Sequence, residues 1–141
     1  MNEKKVQSIL LNDLKFSQDA IYKLDTFCNE VFDYNKKFNL ISKSTERNIW
    51  NRHILDSAQL VKFIEFKDNL SLSDLGTGAG FPGLILAVFN RNPRFHVKLY
   101  EKSRVKIKFL KSLCEKLNIC AHIFDGDYQE HNIDSNYIVS R

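Results

Sequence analysis

Apolar residues recur at two different spacings along this chain, and the change divides it into two parts. Through about the first 65 residues they recur at helical intervals. The pattern predicts a helix over 5–15 and a second from an N-cap at Ser17 to about Asn35. A third helix, capped by Ser44, is predicted to reach about residue 64. The first part is therefore expected to be helical.

In the second part, short strands and helices alternate. Strands are predicted at 70–75, 95–100, 119–124 and 137–139, and helices at 82–90 and 103–117. Strand–helix alternation is typical of a parallel sheet covered by helices on both faces. We therefore expect an α/β chain, with an N-terminal helical region over 1–65 and a doubly wound, Rossmann-like parallel sheet over 66–141. About four strands are present, and because such sheets normally continue, we expect a fragment, a truncated product or an edge covered by a partner.

The segment between the first strand and its helix is the most informative. Residues 74–83 read Asp-Leu-Gly-Thr-Gly-Ala-Gly-Phe-Pro-Gly, with glycines at 76, 78 and 80. Glycine permits a positive φ and has no Cβ to hold a ligand away from the backbone. The free N–H groups at the start of the helix face the crevice at the carboxyl end of the strand. The turn therefore predicts a cradle for a nucleotide.

Two classes of nucleotide fit this turn. Glycines at 78, 80 and 83 have the spacing of a dinucleotide fingerprint, so an NAD-dependent enzyme stays open. Asp74 would repel a pyrophosphate, but it can accept a hydrogen bond from an ammonium group or organise the turn. The pattern Asp-x-Gly-x-Gly-x-Gly resembles the first motif of S-adenosylmethionine-dependent methyltransferases, so we expect the incomplete sheet to be of that type.

Further candidate contacts follow the second and third strands. Glu101 ends the second strand, where its carboxylate can accept hydrogen bonds from both ribose hydroxyls, although an exposed acid paired with lysine is the alternative. Asp127, Tyr128 and Gln129 follow the third strand, where an adenine ring would lie, unless they form a solvated loop. Phe81, within the turn itself, can contact the ligand or pack in the core.

Residues for acid–base or metal chemistry are scarce. His53, Asp56 and Ser57 share one face of the third predicted helix, but without a nucleophile elbow such a trio is usually structural and ties the helical region to the sheet. The remaining histidines show no metal-ligand spacing with any cysteine, so no metal is expected. The sequence therefore predicts no catalytic residue.

Composition narrows the class of protein. The chain has 141 residues, a formal net charge of +4 and no apolar run that approaches a membrane span. Three cysteines without a Cys-x-x-Cys pair indicate reduced thiols and a cytoplasmic location, away from membranes. Residues 98–111 hold six Lys or Arg against one acid, which predicts either a solvated helix face or a patch that faces phosphates beside the cofactor pocket.

Several segments together resemble one family, the glucose-inhibited division protein B family of bacterial 16S ribosomal RNA guanine-N7 methyltransferases. Residues 34–41 resemble W-N-K-x-x-N-L-T, residues 52–57 resemble R-H-I-L-D-S, and residues 74–83 resemble D-V-G-T-G-x-G-F-P-G. Residues 106–110 and 140–141 are similar to R-x-x-F-L and to the start of S-R-A. The resemblance covers essentially the whole chain. It departs where the family has N-L-T and G-R-A-E-E, and family members continue past S-R-A.

The resemblance implies a cofactor, a partner and a set of contacts. It implies S-adenosylmethionine contacts at Gly76, Phe81, Tyr128, Gln129 and Arg141, and it supports Asp74, Gly78, Gly80 and Glu101. The implied partner is 16S rRNA or the small ribosomal subunit, with Arg141 and the basic residues of 98–111 on RNA phosphates; DNA is not expected, and we expect a monomer. Guanine N7 carries no proton, so no general base is required. The alternative is a shortened relative that binds cofactor or RNA without turnover.

Overall fold

The computed structural model describes all 141 residues, with helices in the first part of the chain. The helical elements are α1 (Glu3–Asn12), α2 (Gln18–Asn35), α3 (Lys43–Arg47), a π-helical turn (Ile49–Ile54), α4 (Leu55–Ala58) and a 3₁₀ helix (Gln59–Phe63). Ser17 caps α2 as predicted, because its hydroxyl accepts a hydrogen bond from the Ala20 N–H at 3.0 Å. No helix is both long enough and apolar enough to cross a membrane.

The third predicted helix differs from the sequence-based expectation. Its cap is Ser42 and not Ser44, and the Ser42 hydroxyl accepts a hydrogen bond from the Thr45 N–H at 3.1 Å. The cause lies upstream, where the Asn35 side chain accepts hydrogen bonds from the N–H groups of Leu40 and Ile41. This contact fixes the link after α2, so that Ser42 already has the extended backbone that a cap requires. The helix is also broken into four short pieces.

The second part forms a four-stranded parallel sheet, which confirms the predicted fold class. Its elements are β1 (Ser71–Leu75), α5 (Gly83–Phe89), β2 (His96–Glu101), α6 (Arg104–Leu117), β3 (His122–Asp125), a 3₁₀ turn (Tyr128–Glu130) and β4 (Tyr137–Ser140). The strand order is β3-β2-β1-β4, with every neighbouring pair parallel. The chain runs outward from β1 in one direction and later returns to its other side. The carboxyl end of β1 is therefore the position where such sheets bind ligands.

Both parts of the chain contribute to one hydrophobic core. Phe27 of α2 is fully buried, with its ring centroid 5.6 Å from that of Phe81 in the glycine turn and 6.3 Å from that of Phe109 on α6. Phe81 in the turn and Phe109 on α6 therefore contribute to burying its large apolar surface. The helical region is packed directly behind the turn that follows β1.

A buried carboxylate connects β1 to α5. Asp74 has no exposed surface, and its Oδ2 accepts a hydrogen bond from the Gly83 N–H at 2.7 Å. A Cβ at position 83 would lie only 2.7 Å from the same oxygen, so this contact requires glycine there. Asp74 Oδ1 and the buried Thr77 hydroxyl have no hydrogen-bond partner. Burial raises the Asp74 pKa to about 7, although the nearby Thr77 hydroxyl and the Gly83 N–H act in the opposite direction.

Replacing Phe27 with alanine should reduce the free energy of unfolding by about 3–5 kcal/mol, because it leaves a cavity between the two parts of the core. Chemical denaturation followed by circular dichroism measures this loss. Tyr22→Ala, on the exposed side of the same helix, is the matched control and should stay within about 0.5 kcal/mol of the wild type. If Phe27→Ala reduced the free energy of unfolding no more than Tyr22→Ala does, this shared core would be contradicted.

Stability should fall as the pH rises from the ordinary Asp74 value of 3.8 to about 7. In this range the folded protein retains a proton on Asp74 that the unfolded chain has released, so deprotonation opposes folding. Asp74→Asn stays neutral and keeps an oxygen for the Gly83 N–H. Its free energy of unfolding, relative to the wild type, should therefore increase between pH 4 and pH 8 in denaturant titrations.

The control for this prediction is Asp134→Asn, which changes an exposed carboxyl group far along the chain. That variant should follow the wild-type pH profile. Parallel profiles for Asp74→Asn and the wild type would contradict the prediction, because they would mean that Asp74 ionises equally in the folded and unfolded states.

Candidate functional site

The glycine turn leaves open space in front of its backbone. Gly76 and Gly78 have φ values of 75° and 62°, and a Cβ built on either would meet no atom within 4 Å. Gly80 is different, because its Cβ would lie 2.8 Å from the Cβ of Leu84. The first two glycines therefore present bare backbone to a ligand-sized space, whereas Gly80 allows the turn to pack against α5.

Glu101 holds the turn from the neighbouring strand. Its carboxylate is buried, with Oε1 accepting a hydrogen bond from the Gly78 N–H at 2.8 Å. Oε2 accepts hydrogen bonds from the N–H groups of Lys102 and Ser103 at 3.1 and 2.9 Å. The alternative of an exposed acid paired with lysine is wrong, because Glu101 is buried and forms no ion pair. A carboxylate has about four acceptor positions, so one remains for a hydroxyl, where the sequence predicted contacts to two.

Two cavities meet at Gly76. The first, which we name the Glu101 cavity, has a volume of about 220 Å³ and is lined by Gly76, Tyr100, Glu101, Lys102, Gly126, Asp127, Tyr128 and Gln129. The structure thus brings together four residues that the sequence proposed as cofactor contacts: Gly76, Glu101, Tyr128 and Gln129. The Asp127 carboxylate also accepts a hydrogen bond from the Gln129 N–H at 3.0 Å, which fixes the 3₁₀ turn that forms one wall.

The second cavity, which we name the Arg141 cavity, has a volume of about 260 Å³. It is lined by Ile41, Thr45, His53, Gly76, Thr77, Gly78, Ala79, Phe81 and Arg141. Gly76, Gly78, Phe81 and Arg141 were all proposed as contacts from the sequence. Phe81 is buried against Phe27 and also lines this cavity, so it packs in the core, and its contact with a ligand stays a prediction. The Arg141 guanidinium lies 5.9 Å from the centroid of the Phe81 ring, a cation–π arrangement.

Asp74 and Gly80 line neither cavity. Both are buried behind the turn, where Gly80 meets Leu84 and Asp74 binds the Gly83 N–H. A direct contact of either residue with a ligand stays a prediction. Asp74 has the second of its two proposed roles, which is to organise the turn. Above a pH of about 7, where Asp74 is ionised, its charge is poorly screened by water because the carboxylate is buried.

His53, Asp56 and Ser57 do not share one environment in the structure. Ser57 is buried, whereas His53 and Asp56 line a third cavity of about 550 Å³ together with Arg141. His53 belongs to the π-helical turn, so the α-helical spacing that predicted a common face does not apply. The His53 ring lies 5.5 Å from the Phe81 ring, which ties the helical region to the sheet as predicted. Burial lowers the His53 pKa, and Arg141 lowers it further.

Sequence reasoning missed Thr45 and Thr77 as lining residues of the Arg141 cavity. Thr45 lies on α3, 31 positions before the turn, and only the tertiary fold brings it there. Within the basic stretch 98–111, Lys102 is the only basic residue that lines either cavity. Arg104, Lys108 and Lys111 lie exposed on α6, which matches the solvated-face alternative.

Comparisons with known proteins agree with this architecture. The chain is 32% identical over 137 residues to a protein of Pelagibacter ubique, and the match covers 94% of this chain and 64% of that protein. Proteins of Cereibacter sphaeroides and Rickettsia prowazekii are 38% and 36% identical over 120 and 128 residues, covering 84% and 91% of this chain and 58% and 65% of theirs. All three are named ribosomal RNA small subunit methyltransferase G.

The chain therefore spans about three fifths of the length of the curated relatives that it matches. Among solved structures, a protein-L-isoaspartate O-methyltransferase superposes with a TM-score of 0.58 at 14% identity, over 99% of this chain and 47% of that one. At this identity the superposition establishes the fold alone. A family profile described as GidB, rRNA small subunit methyltransferase G, matches residues 20–141. The chain belongs to the GidB, or rRNA small subunit methyltransferase G, family.

Proposed function

We propose that this chain binds S-adenosylmethionine at the glycine turn and transfers its methyl group to guanine N7 of 16S rRNA in the small ribosomal subunit, in the cytoplasm. One observation carries the proposal. Bare glycine backbone at Gly76 and Gly78 faces open space between two cavities, of which one contains Glu101 and the other Phe81 and Arg141. The names of the relatives support the reaction, and the residues around the turn support the cofactor.

The residues present fit an adenosine at the Glu101 cavity. The free acceptor position of Glu101 suits a ribose hydroxyl, and Tyr128 and Gln129 border the space beyond it. A side chain at Gly76 or Gly78 would occupy the space that such a ligand needs. Gly76 lines both cavities, so a ligand with its nucleoside in the Glu101 cavity could extend past Gly76 into the Arg141 cavity.

Electrostatics favour a cationic ligand over a dinucleotide. A pyrophosphate binds at the free N–H groups of a helix N-terminus. At the start of α5 the Gly83 N–H is already bonded to Asp74, and α5 has only seven residues. Glu101 also places a buried carboxylate beside the turn, and Asp74 adds a second negative charge as the pH rises through about 7. These charges repel phosphate but stabilise a sulfonium or ammonium group. This argues against the NAD-dependent enzyme that the glycine spacing left open.

The proposed reaction needs binding and alignment more than proton transfer. When bound, S-adenosylmethionine supplies an electrophilic methyl group. Guanine N7 has an in-plane lone pair and carries no proton, so no side chain has to act as a base. The wall formed by Phe81, His53 and Thr45 would orient the guanine and exclude water. Burial and the nearby Arg141 lower the pKa of His53, which favours the neutral imidazole beside the cationic product.

Incubation of the protein with unmethylated small ribosomal subunits and methyl-labelled S-adenosylmethionine should place label in the 16S rRNA. Chemical cleavage at 7-methylguanosine should then locate it. Gly78→Asn should abolish this transfer, because asparagine tolerates a positive φ but fills the space in front of the turn. Transfer to a different atom of RNA would refute the N7 assignment.

Calorimetry separates cofactor binding from turnover in the same preparations. The wild type should bind S-adenosylmethionine and not NAD, whereas Gly78→Asn and Gly78→Val should bind neither. Binding without methyl transfer would support the alternative of a relative that only binds its ligands. Unchanged affinity for S-adenosylmethionine in Gly78→Asn would contradict the site itself, provided that thermal melting shows the variant to be folded.

Glu101→Gln should weaken adenosine binding by about 1–3 kcal/mol, since it removes a charge-assisted hydrogen bond to the ribose. The same substitution disturbs the bonds to Gly78, Lys102 and Ser103, so the ligand must also be varied. For 2′,3′-dideoxyadenosine, which lacks both hydroxyls, the loss should be clearly smaller. Glu115→Gln, on the exposed surface of α6, is the control and should bind both ligands like the wild type. An equal loss for both ligands would mean that Glu101 only organises the turn.

A further inference from the structure

The helical region contains a basic segment that the sequence analysis did not single out. Residues 36–52 hold five basic side chains and one acid. Their basic members are Lys36, Lys37, Lys43, Arg47 and Arg52. The segment is thus about as basic as residues 98–111, which hold six basic residues and one acid. Charge alone does not distinguish the two segments, so their positions relative to the site must.

A cleft opens beside α3. It has a volume of about 800 Å³, and three basic residues, Lys36, Lys43 and Arg47, line it together with Asn39 and one acid, Glu46. Lys43 and Arg47 are exposed and take part in no ion pair. The single acid of the segment, Glu46, accepts a hydrogen bond from the Asn35 amide at 2.7 Å. The two cations therefore remain free to bind an external anion.

This cleft adjoins the candidate site. Ile41 lines both the cleft and the Arg141 cavity. Thr45 lines the Arg141 cavity and the neighbouring third cavity, which Arg52 also borders. The segment 41–47 is therefore a shared wall, with Lys43 and Arg47 on the cleft and Thr45 on the site. Its conformation is fixed by the Ser42 cap and by the contact between Asn35 and Glu46.

The α6 segment borders the other end of the site. Its one lining residue, Lys102, belongs to the Glu101 cavity, where the proposed function places the nucleoside of the cofactor. A target base must instead enter the Arg141 cavity. Ile41 and Thr45 border that cavity, so phosphates on either side of the base would come within reach of the long basic side chains of this segment.

We propose that RNA reaches the site across α3, with Lys43 and Arg47 binding backbone phosphates of the strand that carries the target base. This inference rests on the proposed function, because it takes the Arg141 cavity as the position of that base. It replaces the expectation that residues 98–111 hold the RNA. Phosphate contacts of this kind contribute affinity and position but not sequence preference.

The test compares two charge-matched pairs of substitutions in the 141-residue chain. One variant is Lys43→Gln with Arg47→Gln, and the control is Lys108→Gln with Lys111→Gln on α6. Filter binding to a transcript of 16S rRNA is measured between 50 and 200 mM salt. The first pair should lower affinity about tenfold and flatten the slope of log K against log salt by about 1.5, whereas the control pair should change neither.

Each outcome is informative because calorimetry with S-adenosylmethionine is run on the same proteins. Normal cofactor binding by both variants, with RNA binding lost only in the first pair, supports the proposal. Equal losses in both pairs, or a loss confined to the α6 pair, would overturn it. Equally tight binding of poly-glutamate would also overturn it, by showing a general anion surface. Failure of the wild type to bind S-adenosylmethionine would instead count against the proposed function.

Discussion

The candidate site depends on one hydrogen bond, from the Gly83 N–H to the buried Asp74 carboxylate. It joins the end of strand β1 to the first residue of α5. The loop between them contains three glycines with positive φ, Gly76, Gly78 and Gly80. Such a loop has many accessible conformations in the unfolded chain, so its folded shape must be imposed by neighbours. Asp74 imposes it from behind and Glu101 from the adjacent strand, which leaves the front of the turn free of side chains.

The same two carboxylates decide the electrostatic character of the turn. A glycine loop before a helix normally offers N–H groups to an anion. Here internal carboxylates accept hydrogen bonds from two of those groups, on Gly78 and Gly83. The raised pKa of Asp74, about 7, shows how strongly its burial disfavours the charge that it carries. A site that tolerates this cost gains a field that suits a positively charged ligand, which is why the geometry and the family agree.

Sequence patterns predicted the fold and much of the site, because these features depend on residues that are close together in the chain. Strand alternation and glycine spacing are local signals, and they located β1, the turn and the end of β2 where Glu101 lies. The cap at Ser42 was missed, because it depends on a side-chain contact from Asn35 that a pattern does not contain. The position of Thr45 beside Gly76 was missed as well, since it follows from tertiary packing. Spacing alone also did not show that Asp74 and Gly80 lie on the buried side of the turn, whereas Gly76 and Gly78 face open space.

The π-helical turn at 49–54 also limits the length of this segment. Its last bond joins the Leu55 N–H to the Trp50 carbonyl, a closure with one more residue than an α-helical turn has. Buried residues there come in adjacent pairs five positions apart, Ile49 with Trp50 and Ile54 with Leu55. Both pairs reach the core only while the extra residue is present. Deletion of one residue within 49–54 would therefore turn one of these pairs away from the core, whereas a substitution at the exposed Asn51 or Arg52 would leave both pairs in place.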